Sequence, residues 1–251
     1  MSLPVFVADL SVVEPGDQVR VIGAEAHHAA TVRRLQVGDQ VVLTDTNGGR
    51  ATGSVLHSDR EEMLVQVQHL AREPVPTPLL TVVQALPKGE RGELAVQMLT
   101  EVGVDRIVPW QAQRSVAVWR GDRARRSTAK WQRTAYESSK QARRTHFAQV
   151  ADLHQTRDVL GVLEQADLVV VLHEDATQPL ADLDPARADR IAIVVGPEGG
   201  ISDTEIEQLG SQHCYRLGAE VLRTSTAGVV AAAVLLSRTS RWGGPGNAPT
   251  Q

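Results

Sequence analysis

The stretch that most constrains this chain is Ile191 to Ser202, which reads Ile-Ala-Ile-Val-Val-Gly-Pro-Glu-Gly-Gly-Ile-Ser. From Ile191 to Val195 it is apolar without interruption and mostly β-branched. A run that short and that uniform predicts a strand buried on both faces, as inside a parallel sheet covered by helices. It stops at Gly196-Pro197-Glu198-Gly199-Gly200. Three glycines there supply turn geometry and let another group approach the backbone without meeting a Cβ. Ser202 and Glu205 follow with the spacing of a capping box, which predicts the start of a helix. Strand, glycine loop and helix in that order place a ligand site beyond the carboxyl ends of the strands of an α/β sheet. The loop is not G-x-G-x-x-G, and no Lys-Ser or Lys-Thr follows it. Neither the dinucleotide fingerprint nor the P-loop fits, so the loop taken alone reads equally as a plain structural turn.

A second stretch follows closely. Tyr215 to Leu217 can form a further strand, and Gly218 to Thr226 is a polar turn holding Arg223, Thr224 and Thr226. Val229 to Leu236 reads as a helix that is apolar nearly all round, which predicts core rather than surface. The run from Ala227 to Leu236 is too short to cross a bilayer.

The rest of the chain divides at its prolines. Residues 1–73 read as a small β-rich domain, with strand-like segments at Val5–Val7, Gln18–Ile22, Gln40–Leu43 and Met63–Val67. Asn47-Gly48-Gly49 is a hairpin signal between two strands. One short helix, about Ala24 to Leu35, interrupts them, and the strand spacing suggests a small barrel. Pro74-Val-Pro-Thr-Pro78 can continue neither strand nor helix and reads as an extended linker, residues 74–78. Residues 79–242 alternate strand and helix, which predicts a mainly parallel sheet covered on both faces. Its segments are a strand at Leu79–Ala85, a helix from Glu90 to Val102 stopped by Gly103, and a strand at Arg106–Pro109. A basic helix from Asp122 to Arg144, a short helix from Asp158 to Gln165 and a buried strand from Asp167 to His173 follow. Residues 243–251 are expected to be a disordered tail.

Composition limits the function classes. Hydrophobic residues make up 42% of the 251 and charged residues 22%, ordinary for a soluble globular protein. Aromatics are only 3%, so stacking platforms for single-stranded nucleic acid must be few. The one cysteine, Cys214, cannot form an internal disulfide, fits a reducing compartment, and reads as core packing in an apolar strand. No Cys/His group has zinc-ligand spacing, and neighbouring His27 and His28 do not converge on one ion. No metal and no membrane contact are expected. The N-terminus has no signal-peptide pattern, so the expected location is cytoplasmic. The net charge of −4 hides a strong asymmetry. Between Arg114 and Arg144 ten Lys or Arg face two acids, Asp122 and Glu137, a surplus of eight that leaves −12 on the remainder. Positive charge gathered on an otherwise acidic protein marks a site for a polyanion, with a solvated helix face as the plain alternative.

Gly-Pro-Glu-Gly-Gly followed about twenty residues on by Leu217-Gly-x-x-x-Leu222-Arg-Thr-x-Thr226 resembles the SPOUT methyltransferases, and among them the RsmE family of 16S rRNA uridine-N3 methyltransferases. The resemblance spans nearly the whole chain. His28, Val32 and Arg34 match a His-x-x-x-Val-x-Arg pattern, with Arg33 in place of leucine. Leu86-Pro-Lys-Gly-Glu90, Thr100-Glu-Val-Gly103, and Trp131, Gln141 and Arg144 match further family positions. Ala219, Ser225 and Lys140 depart from it.

The resemblance implies a PUA-like β-barrel domain that binds RNA, then an α/β methyltransferase domain of the trefoil-knotted SPOUT type, paired as a homodimer. It implies S-adenosylmethionine as methyl donor, held by backbone groups of three loops. The donor residues implied are Leu172 and His173, then Gly196, Pro197, Gly199 and Gly200, then Leu217, Gly218, Leu222, Thr224 and Thr226. Arg223 would stabilise the charge developing on uracil, and Glu198 would be a base or a ribose contact, if it is not simply a carboxylate at a helix N-terminus. Thr224 and Thr226 would bind phosphate or cap the last helix. Ser225, where the family often has an acid, weakens the case for a base beside Arg223. Contacts to 16S rRNA would come from His28, Arg34, Lys88, Arg114, Arg125, Arg126 and Arg144, although His28 could equally be a packed surface histidine. A ribose 2′-hydroxyl acceptor, or a non-catalytic ribosome assembly factor, is the alternative.

Overall fold

The computed structural model describes residues 3–243, which form two compact units. Residues up to 75 together with 139–147 make one; residues 76–138 and those from 148 onward make the other.

The first unit is a five-stranded sheet. Its strands are β1 (Val5–Val7), β2 (Gln18–Ile22), β3 (Gln40–Thr44), β4 (Gly49–Ser58) and β5 (Glu62–Arg72), in the order β1-β3-β4-β5-β2. β1 runs parallel to β3 and every other pair is antiparallel. Along β4 and β5 buried and half-buried residues alternate, the period of a sheet with one covered face. The buried set, with Phe6, Leu43, Val55, Met63 and Val65, forms a single core. The expected helix to Leu35 is shorter. It spans Ala24–His28 (α1) and widens into a π-type turn at Ala29–Arg33. Thr31 turns its hydroxyl back on the carbonyl of His27 at 2.6 Å, a local bond that competes with the helix. Arg34 then adopts left-handed geometry and ends it.

Residues 139–147, expected in the second domain, belong to this unit. The Gly48 N–H donates to the carbonyl of Thr145 and the Phe147 N–H to that of Thr46, both at 3.0 Å. Lys140 pairs with Glu25 at 2.6 Å, both side chains largely covered.

The second unit carries an all-parallel sheet in the order β12-β10-β11-β6-β7-β8. The strands are β6 (Leu79–Ala85), β7 (Arg106–Gln111), β8 (Gln149–Val150), β9 (His154–Gln155, paired to β7), β10 (Leu168–Leu172), β11 (Arg190–Val195) and β12 (Cys214–Tyr215). The helices are α2 (Arg91–Val102), α3 (Gly121–Gln141), α4 (Thr156–Leu163), α5 (Asp203–Leu209), α6 (Thr224–Leu236) and α7 (Ser240–Gly243). Two separate cores form. Val82, Ile193, Leu99 and Leu235 belong to one, and Val83, Val194, Val108, Val159 and Leu209 to the other. Adjacent residues of one strand thus enter opposite cores, so an uninterrupted apolar run was the right signature for β11. Gly92 lets α2 and α3 meet: a Cβ there would lie 2.8 Å from the Trp131 indole. Trp131 in turn stands edge-on to Trp119, ring centroids 5.1 Å apart. Gly243 closes α7; the rest of the expected tail lies outside the described residues.

Candidate active site

β10, β11 and β12 lie close together in the sheet and all run the same way. Their following loops therefore emerge at one end, and they enclose a cleft of about 530 Å³. β10 contributes its last residue, Leu172, and the loop after it His173 with the acids Glu174 and Asp175. The loop after β11 contributes Gly196, Pro197, Glu198, Gly199 and Gly200. The loop after β12 contributes Leu217, Gly218, Glu220 and Leu222, and Thr224 from the first turn of α6 closes the ring. Thr226 is not among the lining residues. Its N–H and that of Ala227 both donate to the carbonyl of Arg223, which is the N-cap of α6 and provides no side-chain cap. Thr224 and Thr226 therefore do not cap this helix. Arg223 is exposed and also absent from the lining.

The glycine loop is held from within and from two sides. A Cβ on Gly196 would lie 2.7 Å from the side chain of Ile201, and one on Gly199 would lie 3.2 Å from that of Arg114. These glycines leave room for the loop's own packing, and both also line the cleft. Arg114, expected at RNA, points its Nη1 at the carbonyls of Gly199 and Ile201, 3.4 and 3.5 Å away. Glu198 accepts the Lys88 N–H at 3.1 Å and stands 4.0 Å from the Arg91 guanidinium. Its carboxylate thus bonds the chain just before α2 and not the start of α5.

Just beyond the loop the Ser202–Glu205 capping box forms as expected. Glu205 is fully buried. Its carboxylate accepts from the Gln113 N–H (2.9 Å), the Thr156 hydroxyl (2.9 Å) and the Ser202 N–H (3.2 Å). A buried carboxylate with that many donors is satisfied rather than stranded. It ties α5, the loop after β7 and the start of α4 together beneath the glycine loop. The capping spacing pointed to Glu205; nothing in the sequence pointed to its partners Gln113 and Thr156.

Cys214, on β12, is half-buried, and burial pushes its thiol above the usual value. That fits packing and not reactivity. Among the described residues no group of His, Cys, Asp and Glu could hold a metal ion. No described helix is long and apolar enough to cross a membrane.

Residues 73–236 match the RNA methyltransferase domain family, and residues 21–68 the RNA methyltransferase PUA domain. A Mycobacterium bovis protein named ribosomal RNA small subunit methyltransferase E is 40% identical over 228 residues, which cover 88% of this chain and 87% of that one. The chain belongs to the ribosomal RNA small subunit methyltransferase E family. Two solved structures share its fold. A Legionella pneumophila protein in complex with the cofactor SAM has a TM-score of 0.84 at 23% identity, covering 95% of this chain and 99% of that one. A Neisseria gonorrhoeae member of the family, bound to S-adenosyl methionine, has a TM-score of 0.82 at 23% identity, covering 94% and 98%. The sequence led to a small PUA-like β-barrel domain followed by a parallel-sheet methyltransferase domain; the structure has a five-stranded sheet in the PUA-matching unit and an all-parallel sheet in the other.

The residues expected from the sequence to contact RNA fall in both units. His28, Arg34 and Arg144 are in the first, and Lys88, Arg114, Arg125 and Arg126 in the second. His28 is half-buried, edge-on to Phe6 with centroids 6.1 Å apart, which favours the packed-histidine alternative. Arg144 donates to the carbonyl of His146 at 2.9 Å, shaping the 139–147 segment. Arg125 pairs with Asp122 one turn back. Arg34, Lys88 and Arg126 are exposed.

Proposed function

We propose that this protein transfers a methyl group from S-adenosylmethionine to N3 of a uridine in 16S ribosomal RNA. The observation that carries this reading is the cleft at the ends of β10, β11 and β12, in a chain 40% identical to a named family member over most of its length. The cleft suits the donor. The loops after β10, β11 and β12 line it, and apolar Leu172, Val195 and Leu222 are among the lining residues. Glu174, Asp175 and Glu220 supply negative charge for a cationic ligand.

Bound there, the sulfonium of the donor presents a methyl group already activated for transfer. The protein's part is alignment and charge control. Leu172, His173, Gly196, Pro197, Gly199, Gly200, Leu217, Gly218, Leu222 and Thr224 hold the donor. Uridine N3 carries a proton at neutral pH and becomes nucleophilic as uracil turns anionic. Arg223, always charged and a fork-shaped donor, stands exposed at the N-cap of α6 outside the cleft lining, and is the residue we assign to stabilising that anion. Arg34, Lys88 and Arg126 meet RNA phosphates. The enzyme works in the cytoplasm as a homodimer paired through the outer face of α6.

Calorimetry with S-adenosylmethionine tests the donor site. One site per chain is expected, unchanged by EDTA. No binding at millimolar donor would leave only the reading of a non-catalytic assembly factor.

A further inference from the structure

Glu198 has the position of a catalytic carboxylate and the contacts of a structural one. It lines the cleft, and about 29% of its side chain is exposed. Its Oε1 is already committed to the Lys88 N–H at 3.1 Å. The Arg91 guanidinium, 4.0 Å away on the first turn of α2, adds positive charge beside it. A general base for uridine N3 must aim its lone pair at the substrate, whereas this oxygen is aimed at the chain's own backbone.

The same two contacts join separate parts of the chain. Glu198 lies on the loop after β11, Lys88 on the connection from β6 to α2, and Arg91 on the first turn of α2. Those strands are neighbours over their whole length, Val195 opposite Gln84. Beyond their ends no further ladder bond joins them, and the Glu198–Lys88 bond takes over. On the other flank Arg114 grips the carbonyls of Gly199 and Ile201. The glycine loop is thus suspended between two side-chain tethers.

We propose that Glu198 is a positioning residue, not the base: its carboxylate fastens the donor loop to the Lys88–Arg91 turn and so sets the shape of the donor cleft. This rests on reading the cleft as the donor site. It also means that the proton on N3 leaves by a route that does not involve this carboxylate.

Two substitutions separate the roles. Glu198→Gln keeps an oxygen that can accept the Lys88 N–H; Glu198→Ala removes it. A charge-assisted hydrogen bond lost at the loop should weaken donor binding about tenfold. Calorimetry with S-adenosylmethionine should therefore show about a tenfold higher Kd for Glu198→Ala, and at most about threefold for Glu198→Gln. The pH dependence of kcat should be the same in Glu198→Gln as in wild type. Amide exchange at Lys88, measured without ligand, should quicken in Glu198→Ala only. A loss of a hundredfold or more in kcat for Glu198→Gln, at near wild-type donor affinity, would make Glu198 part of the chemistry and overturn the proposal. Unchanged Lys88 exchange in Glu198→Ala would overturn the tether. Failure of the wild type to bind the donor would instead remove the reading of the cleft, and the exchange measurement would still decide the tether.

Discussion

At the scale of single residues, the turn between β3 and β4 shows how closely this fold is specified. Asp45 accepts the N–H groups of Asn47 (2.9 Å) and Gly49 (2.8 Å) and pairs with Arg72 at 3.1 Å. A Cβ on Gly49 would lie 2.3 Å from that carboxylate, so glycine and aspartate are needed together. Burial alone would raise the Asp45 pKa; the two N–H groups and Arg72 outweigh it and hold the carboxyl below its usual range. A carboxyl depressed in the folded state adds stability above its unfolded pKa and loses it as pH falls through the folded value. Asp45→Asn should therefore lower the melting temperature at pH 7, and the difference from wild type should shrink as pH drops below about 4. Equal differences at pH 7 and pH 3 would mean that Asp45 contributes only its shape. Asn47-Gly48 signalled this hairpin from sequence; the roles of Asp45 and Arg72, far apart in the chain, did not show.

At the scale of elements, α3 joins two patterns. Thr128, Trp131, Ala135 and Ser138 are buried at helical spacing, while Arg123, Arg125, Arg126, Lys130 and Arg133 are exposed. The charge surplus was visible in the sequence, and so was the helix. Which cations have local partners was not: Arg125 is paired to Asp122 and Lys130 to Glu93 on α2. Exposed pairs of this kind contribute little to stability, but they do reduce the charge offered to a ligand. If this face meets phosphate, replacing Arg126 and Arg133 together by Ala should weaken RNA binding. It should also reduce the slope of log affinity against log salt by about one to two, since each lost phosphate contact releases one fewer counterion. An unchanged slope would make the face a solvated helix surface. The long strands β6, β7, β10 and β11 were legible for a simple reason: burial on both faces leaves no polar alternation to confuse with a helix, whereas the two-residue strands β8 and β9 carried no such signal. The expected continuation of α1 to Leu35 failed because Thr31 and the left-handed Arg34 act locally, against an otherwise helical pattern.

At the scale of the whole molecule, α6 is the element that one chain leaves partly uncovered. Gly228, Ala231, Ala232, Leu235 and Leu236 are buried, whereas Val229, Val230, Ala233 and Val234 are only half-buried. An apolar stripe with no polar residue in it favours a symmetric contact with a second copy. Val230→Glu should split the pair, seen as a halved mass in sedimentation, and abolish methylation; an active monomer would contradict the dimeric reading. The sequence made the catalytic unit readable because its loops carry glycines and its strands are uniform. It hid the return of residues 139–147 to the first unit, which depends on backbone bonds from Gly48 and Phe147 that have no residue signature. It also hid the network that fixes Glu205, because Gln113 and Thr156 lie far from it in the chain. The claim on which the whole account turns is the acceptor atom. It is tested by incubating the purified protein with S-adenosylmethionine and unmethylated small ribosomal subunits, then analysing the nucleosides of the 16S RNA by mass spectrometry. The account expects N3-methyluridine at one position, absent when Arg223 is replaced by Ala. A methyl group on a ribose 2′-hydroxyl, or none at all, would contradict it.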